Sequence, residues 1–396
     1  MKYAIVIPDG AADVALDELD GKTPLEAAAI PNMDWIAGNG KCGSVANVPP
    51  DMPCGSDVAI LSVLGYDPAK VYTGRAPLEA AAQGITIPPG QSVFRCNVVT
   101  IVDGVMEDHA AGHIATEEAW ALIEALRDAT NDEEIGFYRG VSYRHLVTIK
   151  DPAGQAHTTP PHAILGRPVA KHMPSGPGSE VLCDLIERSG TLFPQHEINA
   201  VRQDLGEDPA TSIWLWGQGT MPRLEPFQAR FGKTAAVITA VDLVRGIARL
   251  IGWPCIDVDG ATGYIDTNYA GKGAAAVAAL DEMDMIVVHV EAPDEAAHGA
   301  DADAKIHALE QIDQHIVGPL LERLQAEGHD WRILALPDHP TPCTVRDHTH
   351  DPVPFAMAGK DVASVVSAPF TEAAAADSDL HISRGCELME YFLSPG

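Results

Sequence analysis

Short apolar runs alternate along the chain with stretches of helical periodicity, the pattern of an α/β fold built on a mainly parallel sheet. Tyr3–Pro8 reads as a first buried strand, Asn32–Gly38 as a helix and Gly43–Val48 as a strand. Ser56–Leu64 has helical character, with Ser56 placed as its N-cap. The rhythm changes near Gly84: Val93–Val102 and Val105–Asp108, joined by Asp103-Gly104, form a hairpin pattern. Glu117–Ala129 follows as a helix and Val141–Ile149 as a strand, then Asp151–Pro177, rich in Pro, Gly and His, as a long loop. Ser179–Ser189 is a further helix, with Ser179 as candidate N-cap.

From Ser212 the buried-strand rhythm returns. Ile213–Trp216, Ala235–Ala240, Met285–Val290 and Trp331–Leu336 read as strands, with helices over Asp242–Ile251, Gly271–Asp281 and Ala304–Gln325. Pro354–Ala358 is a late strand and Arg384–Leu393 a terminal helix. The simplest architecture is one α/β core of residues 1–85 and 211–396, interrupted by an inserted α+β unit of residues 86–210. A chain of 396 residues is long enough for such a division.

Composition narrows the class. Apolar residues make up 46%, charged residues 21%, and mean hydropathy is near zero, a globular balance. Lys and Arg number 26 against 56 Asp and Glu, a formal net charge of −30 that opposes nucleic acid and anionic lipid as partners. An anionic substrate then requires a strong local positive field, which bound metal ions supply most directly. The seven Cys are scattered without a CxxC, which argues against a disulfide framework or a zinc ribbon and for a reducing cytoplasm. The opening apolar run is short and meets Asp9-Gly10 directly, so it reads as a strand and not a signal peptide. No apolar run reaches the roughly 18 residues a membrane span needs.

The candidate chemistry gathers where strands end. Asp9 follows the first strand, before a glycine that frees the backbone; in parallel sheets ligands collect beyond the strands' carboxyl ends. Ser56, after Gly55, stands at a helix start, where free N–H groups hold phosphate oxygens. Asp294 and His298 are four residues apart in a helix begun by Pro293, and so share one face just past a strand. Asp338-His339 follows another strand, and His348 and His350 flank Thr349 ahead of the next; one or both of these imidazoles complete the set. Carboxylate oxygen with imidazole nitrogen is a usual donor set for manganese or zinc. Arg139 and Arg144 flank a Gly-Val-Ser-Tyr segment, and forked guanidinium groups suit phosphate and carboxylate. Lys272 is a further candidate, for offsetting charge on an anionic substrate, and His113 another, as acid, base or substrate contact. A metal site on His109 and His113 is disfavoured, because Gly112 breaks the helix it needs.

Ile7-Pro8-Asp9-Gly10, Gly55-Ser56-Asp57, Glu291 through His298, Asp338-His339 and His348 to Pro354 together resemble the alkaline phosphatase superfamily. More narrowly the chain is similar to the archaeal-type, cofactor-independent phosphoglycerate mutases. Leu64 to Pro68, Tyr72 to Arg75, Tyr143 to His145, Trp214 to Gly219 and Gly260 to Tyr264 match the same family, so the likeness spans the chain. The resemblance implies two divalent metal ions, manganese first with cobalt, zinc or magnesium as alternatives. It assigns Asp9, Ser56, Asp338 and His339 to one ion and Asp294, His298 and His348 to the other. His350 is left over. It further implies Ser56 as a transient phosphoserine, and an inserted cap that binds a small phosphorylated substrate and closes to exclude water.

The expected reaction is the interconversion of 3- and 2-phosphoglycerate. A homoserine-type kinase, a metal-dependent phosphatase and a non-catalytic metal-binding protein are the alternatives. The chain lacks the GxxxxGK[ST] phosphate loop of one large kinase class.

Overall fold

The computed structural model describes every residue except His329, Val365, Val366, Pro395 and Gly396. In chain order the strands are β1 (Lys2–Pro8), β2 (Lys41–Val45), β3 (Gln91–Val102), β4 (Val105–Asp108), β5 (Gly136–Val141), β6 (Arg144–Lys150), β7 (Ser212–Gly219), β8 (Ala235–Ile238), β9 (Met285–Val290), β10 (Trp331–Ala335), β11 (Val353–Gly359) and β12 (His381–Ile382). The chain divides into two compact units, one of residues 1–72 and 223–396, the other of residues 73–222.

The first unit is built on a seven-stranded sheet in the order β12-β2-β11-β10-β1-β9-β8. β1 is central, with Ile5 paired to Val287 on one side and Leu334 on the other. Its residues after Lys2 are all buried, as expected of a parallel strand covered on both faces. Among the described strands of this sheet only β11 runs against its neighbours. The carboxyl ends of the other strands therefore meet at one edge. There the chain leaves β1 at Asp9, β2 at Ala46-Asn47, β8 at Thr239, β9 at Glu291 and β10 at Leu336. β11, being reversed, enters at that same edge just after His348 to Pro352. One topological fact thus brings these distant segments together.

Under the sheet lie the helix Pro31–Asn39, through Met33, Ile36 and Ala37, and a long helical stretch through Ile312, Ile316, Leu320 and Leu324. That stretch, expected as one helix over 304–325, is Ala302–Ile312, a wide π turn over Asp313–Val317, then Gly318–Gln325. The turn falls immediately before Gly318-Pro319, and Pro319 has no N–H to donate into a regular ladder. Asp313 in that turn accepts from the backbone N–H groups of Asn32 and Met33 at 3.1 and 2.7 Å. It thereby caps a neighbouring helix whose own N-cap, Ile30, has no polar side chain.

The second unit is antiparallel. β3 pairs with β6, β7 and β4, and β5 pairs with β6. Helices Thr116–Thr130 and Ser179–Leu192 place Leu122, Ile123, Leu126, Leu182, Leu185 and Ile186 in one core with Phe94, Cys96 and Val98 of β3.

Several expectations change here. The unit's limits fall at 72/73 and 222/223, outside the expected 85/86 and 210/211. The reason is pairing: β7, expected in the parallel core, lies antiparallel on β3, and the helix Arg75–Ala82 belongs to this unit as well. The strand expected over 141–149 begins at Arg144 as β6, and β5, over residues not expected as a strand, forms a hairpin with it that turns at Ser142 with φ 54°. The segment 151–177 holds three short 3-10 turns. Ser179 opens its helix without capping it; the cap position belongs to Gly178, at φ 75°. A Cβ on Gly178 would lie 2.5 Å from the Ala153 nitrogen, so no other residue fits.

Candidate active site

Ser56 is the first residue of the helix Ser56–Val63, and Gly55, in extended conformation, holds the N-cap position. This corrects the N-cap expectation and has a chemical consequence. The Ser56 hydroxyl is not spent on the helix's own N–H groups; its Oγ lies 3.2 Å from His339 Nε2.

The hydrogen bonds around His339 follow one pattern. Asp338 Oδ1 accepts from the N–H groups of Gly10 at 3.2 Å and His339 at 3.0 Å. Asp338 Oδ2 is buried without a hydrogen-bond partner and lies 3.4 Å from His339 Nε2. Asp9 repeats the pattern: Oδ2 is 2.9 Å from His289 Nε2, while Oδ1 is buried, unpartnered and 3.5 Å from His339 Nε2. Thr341 fixes the ring of His339. Its hydroxyl donates to Asp294 Oδ1 at 2.5 Å and accepts from His339 Nδ1 at 3.2 Å, so the Nε2 lone pair faces Asp9, Asp338 and Ser56.

The second group obeys the same logic. His298 Nδ1 donates to the Arg346 carbonyl at 2.9 Å, and His348 Nδ1 to the Cys54 carbonyl at 3.2 Å. Their Nε2 atoms therefore point inward, 3.1 Å apart, at 3.2 and 3.5 Å from the Asp294 oxygens. Imidazole nitrogens and carboxylate oxygens crowded in a buried place require a cation among them, whether a shared proton or a metal ion.

The charges agree. Burial drives Asp9 well above the ordinary carboxylate range, and the negative charges of Asp338, Asp294 and Glu291 add to this. Burial pushes Asp294 the same way, but hydrogen bonds from His298 and His348 outweigh it and hold Asp294 well below that range. The Asp294 contact lifts His298 to about 9. Burial lowers His339, and takes His289 down to about 4. The donors thus fit divalent cations: Asp9, Asp338 and His339 form one compact ligand group and Asp294, His339 and His348 another, with His298 against the second. His350 lies apart, its Nε2 bonded to the Met52 carbonyl at 2.9 Å.

Sequence reasoning passed over several residues that build this site. His289, inside an otherwise apolar strand, was the readable signal. Thr341 and Asn47 carried none: Asn47 Nδ2 holds the Asp338 carbonyl at 2.8 Å. Lys305 is wholly buried, donates to Asp13 at 2.8 Å and to the Thr341 carbonyl at 2.9 Å, and so anchors the loop that carries Thr341. Lys272, one of the expected residues, lies in the first turn of the helix Tyr269–Ala279, is also fully buried, and its Nζ has no hydrogen-bond partner. Burial lowers it to about 8, against the opposing pull of Glu291.

Gly10 tests the tightness of the arrangement. It has φ 61°, and a Cβ there would lie 2.4 Å from Asp294 Oδ1 and 2.6 Å from Thr341 Oγ1. Gly10→Ala is expected to displace Asp294 and weaken cation binding by roughly tenfold or more, as loss of ligand positioning does, measured by calorimetric titration. Unchanged binding would show that this glycine does not set the spacing.

In the second unit the expected substrate residues scatter. Arg139 lies on β5 in an exposed ion pair with Glu117, 2.7 Å away, and does not join Arg144 because the hairpin turns between them. Arg144 stands over the Tyr143 ring at 5.8 Å. His113, at φ 52°, meets the same ring at 6.0 Å. The denser set includes residues not anticipated. Arg95 is buried in β3, 3.1 Å from Glu79 and 4.3 Å over the Trp216 ring. Arg75 reaches the same carboxylate at 4.0 Å. Burial lowers the pKa of Arg95; Glu79 opposes this, while the charges of Arg75 and Arg144 reinforce it. Two guanidinium groups thus share one carboxylate, and the charge of a third, Arg144, is felt at Arg95. Among the described residues no metal-ligand group includes His109 or His113.

The chain as a whole has counterparts among known proteins. The family model described as 2,3-bisphosphoglycerate-independent phosphoglycerate mutase matches residues 37–199. A protein of that description from Methanothrix thermoacetophila is 46% identical over 394 residues, covering 100% of both chains. The structure of the PH0037 protein from Pyrococcus horikoshii superposes with TM-score 0.82 at 28% identity, over 99% of this chain and 96% of that one. The cofactor-independent phosphoglycerate mutase from Thermoplasma acidophilum gives 0.66 at 26% identity, over 100% of each. Fold and likeness together define an enzyme of the phosphoglycerate mutase class. Within that class the chain belongs to the 2,3-bisphosphoglycerate-independent phosphoglycerate mutase family.

Proposed function

We propose that this enzyme interconverts 3- and 2-phosphoglycerate through a phosphoserine at Ser56, as a cytoplasmic step of glycolysis and gluconeogenesis. The observation that carries the mechanism is the Ser56 hydroxyl, free of any capping role, 3.2 Å from an imidazole flanked by two partnerless carboxylate oxygens. Asp9, Ser56, Asp338 and His339 would hold one divalent ion, and Asp294, His298 and His348 the other. When bound, these ions supply positive charge for the phosphoryl oxygens and acidify the serine hydroxyl.

The chain's own residues do the rest. Ser56 Oγ gives up its proton and bonds to phosphorus as the bond to one glycerate oxygen breaks, and that oxygen takes up a proton. The other glycerate hydroxyl then loses its proton and bonds to phosphorus as the bond to Ser56 Oγ breaks, and Ser56 Oγ regains a proton. Lys272, with no hydrogen-bond partner for its ammonium, offsets phosphoryl charge. Arg75, Arg95 and Arg144 supply binding for an anionic group of the substrate, since Arg75 and Arg95 share the single Glu79 carboxylate and the charge of Arg144 adds to theirs.

The test is to incubate the protein with manganese and 3-phosphoglycerate and follow 2-phosphoglycerate and free phosphate together. Mutase product without phosphate release is expected, with about two ions bound per chain, by the two-ion mechanism class. Asp294→Ala and His298→Ala are expected to lose metal, and chelation to abolish turnover. Full activity in metal-free protein would remove the ions from the mechanism. Dominant phosphate release would make it a phosphatase, and phosphate transfer from ATP to homoserine a kinase.

A further inference from the structure

His289 has no place in the chemistry above, yet it sits in the middle of the site. It is buried in β9, and both ring nitrogens are engaged. Nε2 lies 2.9 Å from Asp9 Oδ2, and Nδ1 lies 3.2 Å from Thr239 Oγ1. Thr239 follows β8, and its Oγ1 already accepts from the Val241 N–H at 3.0 Å. The threonine hydroxyl has one hydrogen to give, and the His289 ring is the acceptor beside it. The ring hydrogen then resides on Nε2, directed at Asp9. The opposite tautomer would set two acceptors against each other whenever Asp9 is ionised.

We infer that His289 is a positioning residue for Asp9: held by Thr239 in one tautomer, it occupies Oδ2 and leaves Oδ1 alone to face His339. The two Asp9 oxygens are unequal in the structure in this sense, since Oδ1 is buried and without a hydrogen-bond partner. A carboxylate free at both oxygens can rotate or bind a cation through either one. Tied at Oδ2, Asp9 offers one oxygen in one direction. The inference rests on the reading of Asp9 as a metal ligand, and partners that hold ligands typically matter roughly 10–100-fold in affinity.

The first test is spectroscopic and needs no variant. In zinc-loaded protein carrying ¹⁵N-labelled histidine, the His289 ring, assigned through its proximity to Thr239, is expected to carry hydrogen on Nε2 and none on Nδ1. Hydrogen on Nδ1 would overturn the inference. The second test is stepwise zinc titration. His289→Leu is expected to weaken one of the two binding steps by about 10–100-fold and leave the other within a few-fold. His289→Gln, whose amide can donate near the Nε2 position, is expected to recover most of the loss. Equal weakening of both steps with no recovery by Gln would reduce His289 to a structural part, and unchanged titrations in folded His289→Leu would overturn the inference. Wild-type protein that binds no zinc would instead remove the metal reading itself, a separate outcome.

Discussion

Replacing Ser56 with alanine is expected to give a folded, metal-binding protein with almost no mutase turnover. The structural cost is small because Ser56 does not cap its helix: Gly55 holds that position and the serine side chain makes no capping bond. Stability is expected to change by no more than about 1 kcal/mol, the ordinary range for a substitution that removes no cap, core volume or buried pair. The catalytic cost is large. Ser56 Oγ is the oxygen held beside His339, and loss of a catalytic serine nucleophile elsewhere costs on the order of 10⁶-fold. Binding of one ion is expected to weaken, since an oxygen donor is gone, while the Asp294 group keeps its ion. With intact Ser56, substrate labelled in its phosphoryl group is expected to label the protein and then the product, without dilution by free phosphate. Near-normal turnover by Ser56→Ala would end the phosphoserine mechanism, and rapid loss of label to free phosphate by the intact enzyme would favour hydrolysis.

Much of this site was legible because parallel strands write their function at their ends. Asp9, Asp294 and Asp338-His339 each follow a fully buried run, and a reader who places those runs side by side has placed the side chains too. Tautomers were not legible. They depend on carbonyls of Cys54 and Arg346 and on the hydroxyl of Thr341, partners selected by loops with no periodic pattern. Ser56 was misplaced by a single position, since a Gly-Ser step before a helix fits either residue at the cap, and only the backbone decides.

The second unit was harder, for a physical reason. In an antiparallel sheet a strand can pair with one distant in sequence, and nothing in Ile213–Trp216 says whether its neighbour is parallel or antiparallel. β7 therefore read as core although it pairs with β3. The turn at Ser142 lacks the Asn-Gly or Asp-Gly signal, so β5 went unread and Arg139 was grouped with Arg144 across it. Arg95 was overlooked because it lies in a run of buried strand residues, where its burial beside Trp216 is visible only in three dimensions.

Lys272 carries the second large prediction: Lys272→Met is expected to make the metal-free protein more stable while nearly abolishing turnover. Its ammonium is buried with no hydrogen-bond partner, and burial lowers its pKa from 10.5 to about 8, with Glu291 opposing. The charged form is thus disfavoured in the folded chain. Below pH 8 the amine is protonated in both folded and unfolded states, so the full penalty stands; between 8 and 10.5 the folded protein sheds the proton first and gains stability as pH rises. Above 10.5 both states are neutral and the penalty is gone. A shift of this size corresponds to roughly 3 kcal/mol, and methionine fills similar volume without the charge. Urea unfolding at about pH 7 is expected to show the variant more stable by up to that amount, and at about pH 10 by much less. Turnover near neutral pH is expected to fall by roughly 100-fold or more, because the phosphoryl oxygens lose a buried positive charge that no solvent replaces. A variant less stable than wild type near neutral pH, or a gain that does not shrink on raising the pH, would show that the Lys272 ammonium finds compensation in the folded protein. Full turnover in a stabilised variant would separate Lys272 from the chemistry altogether.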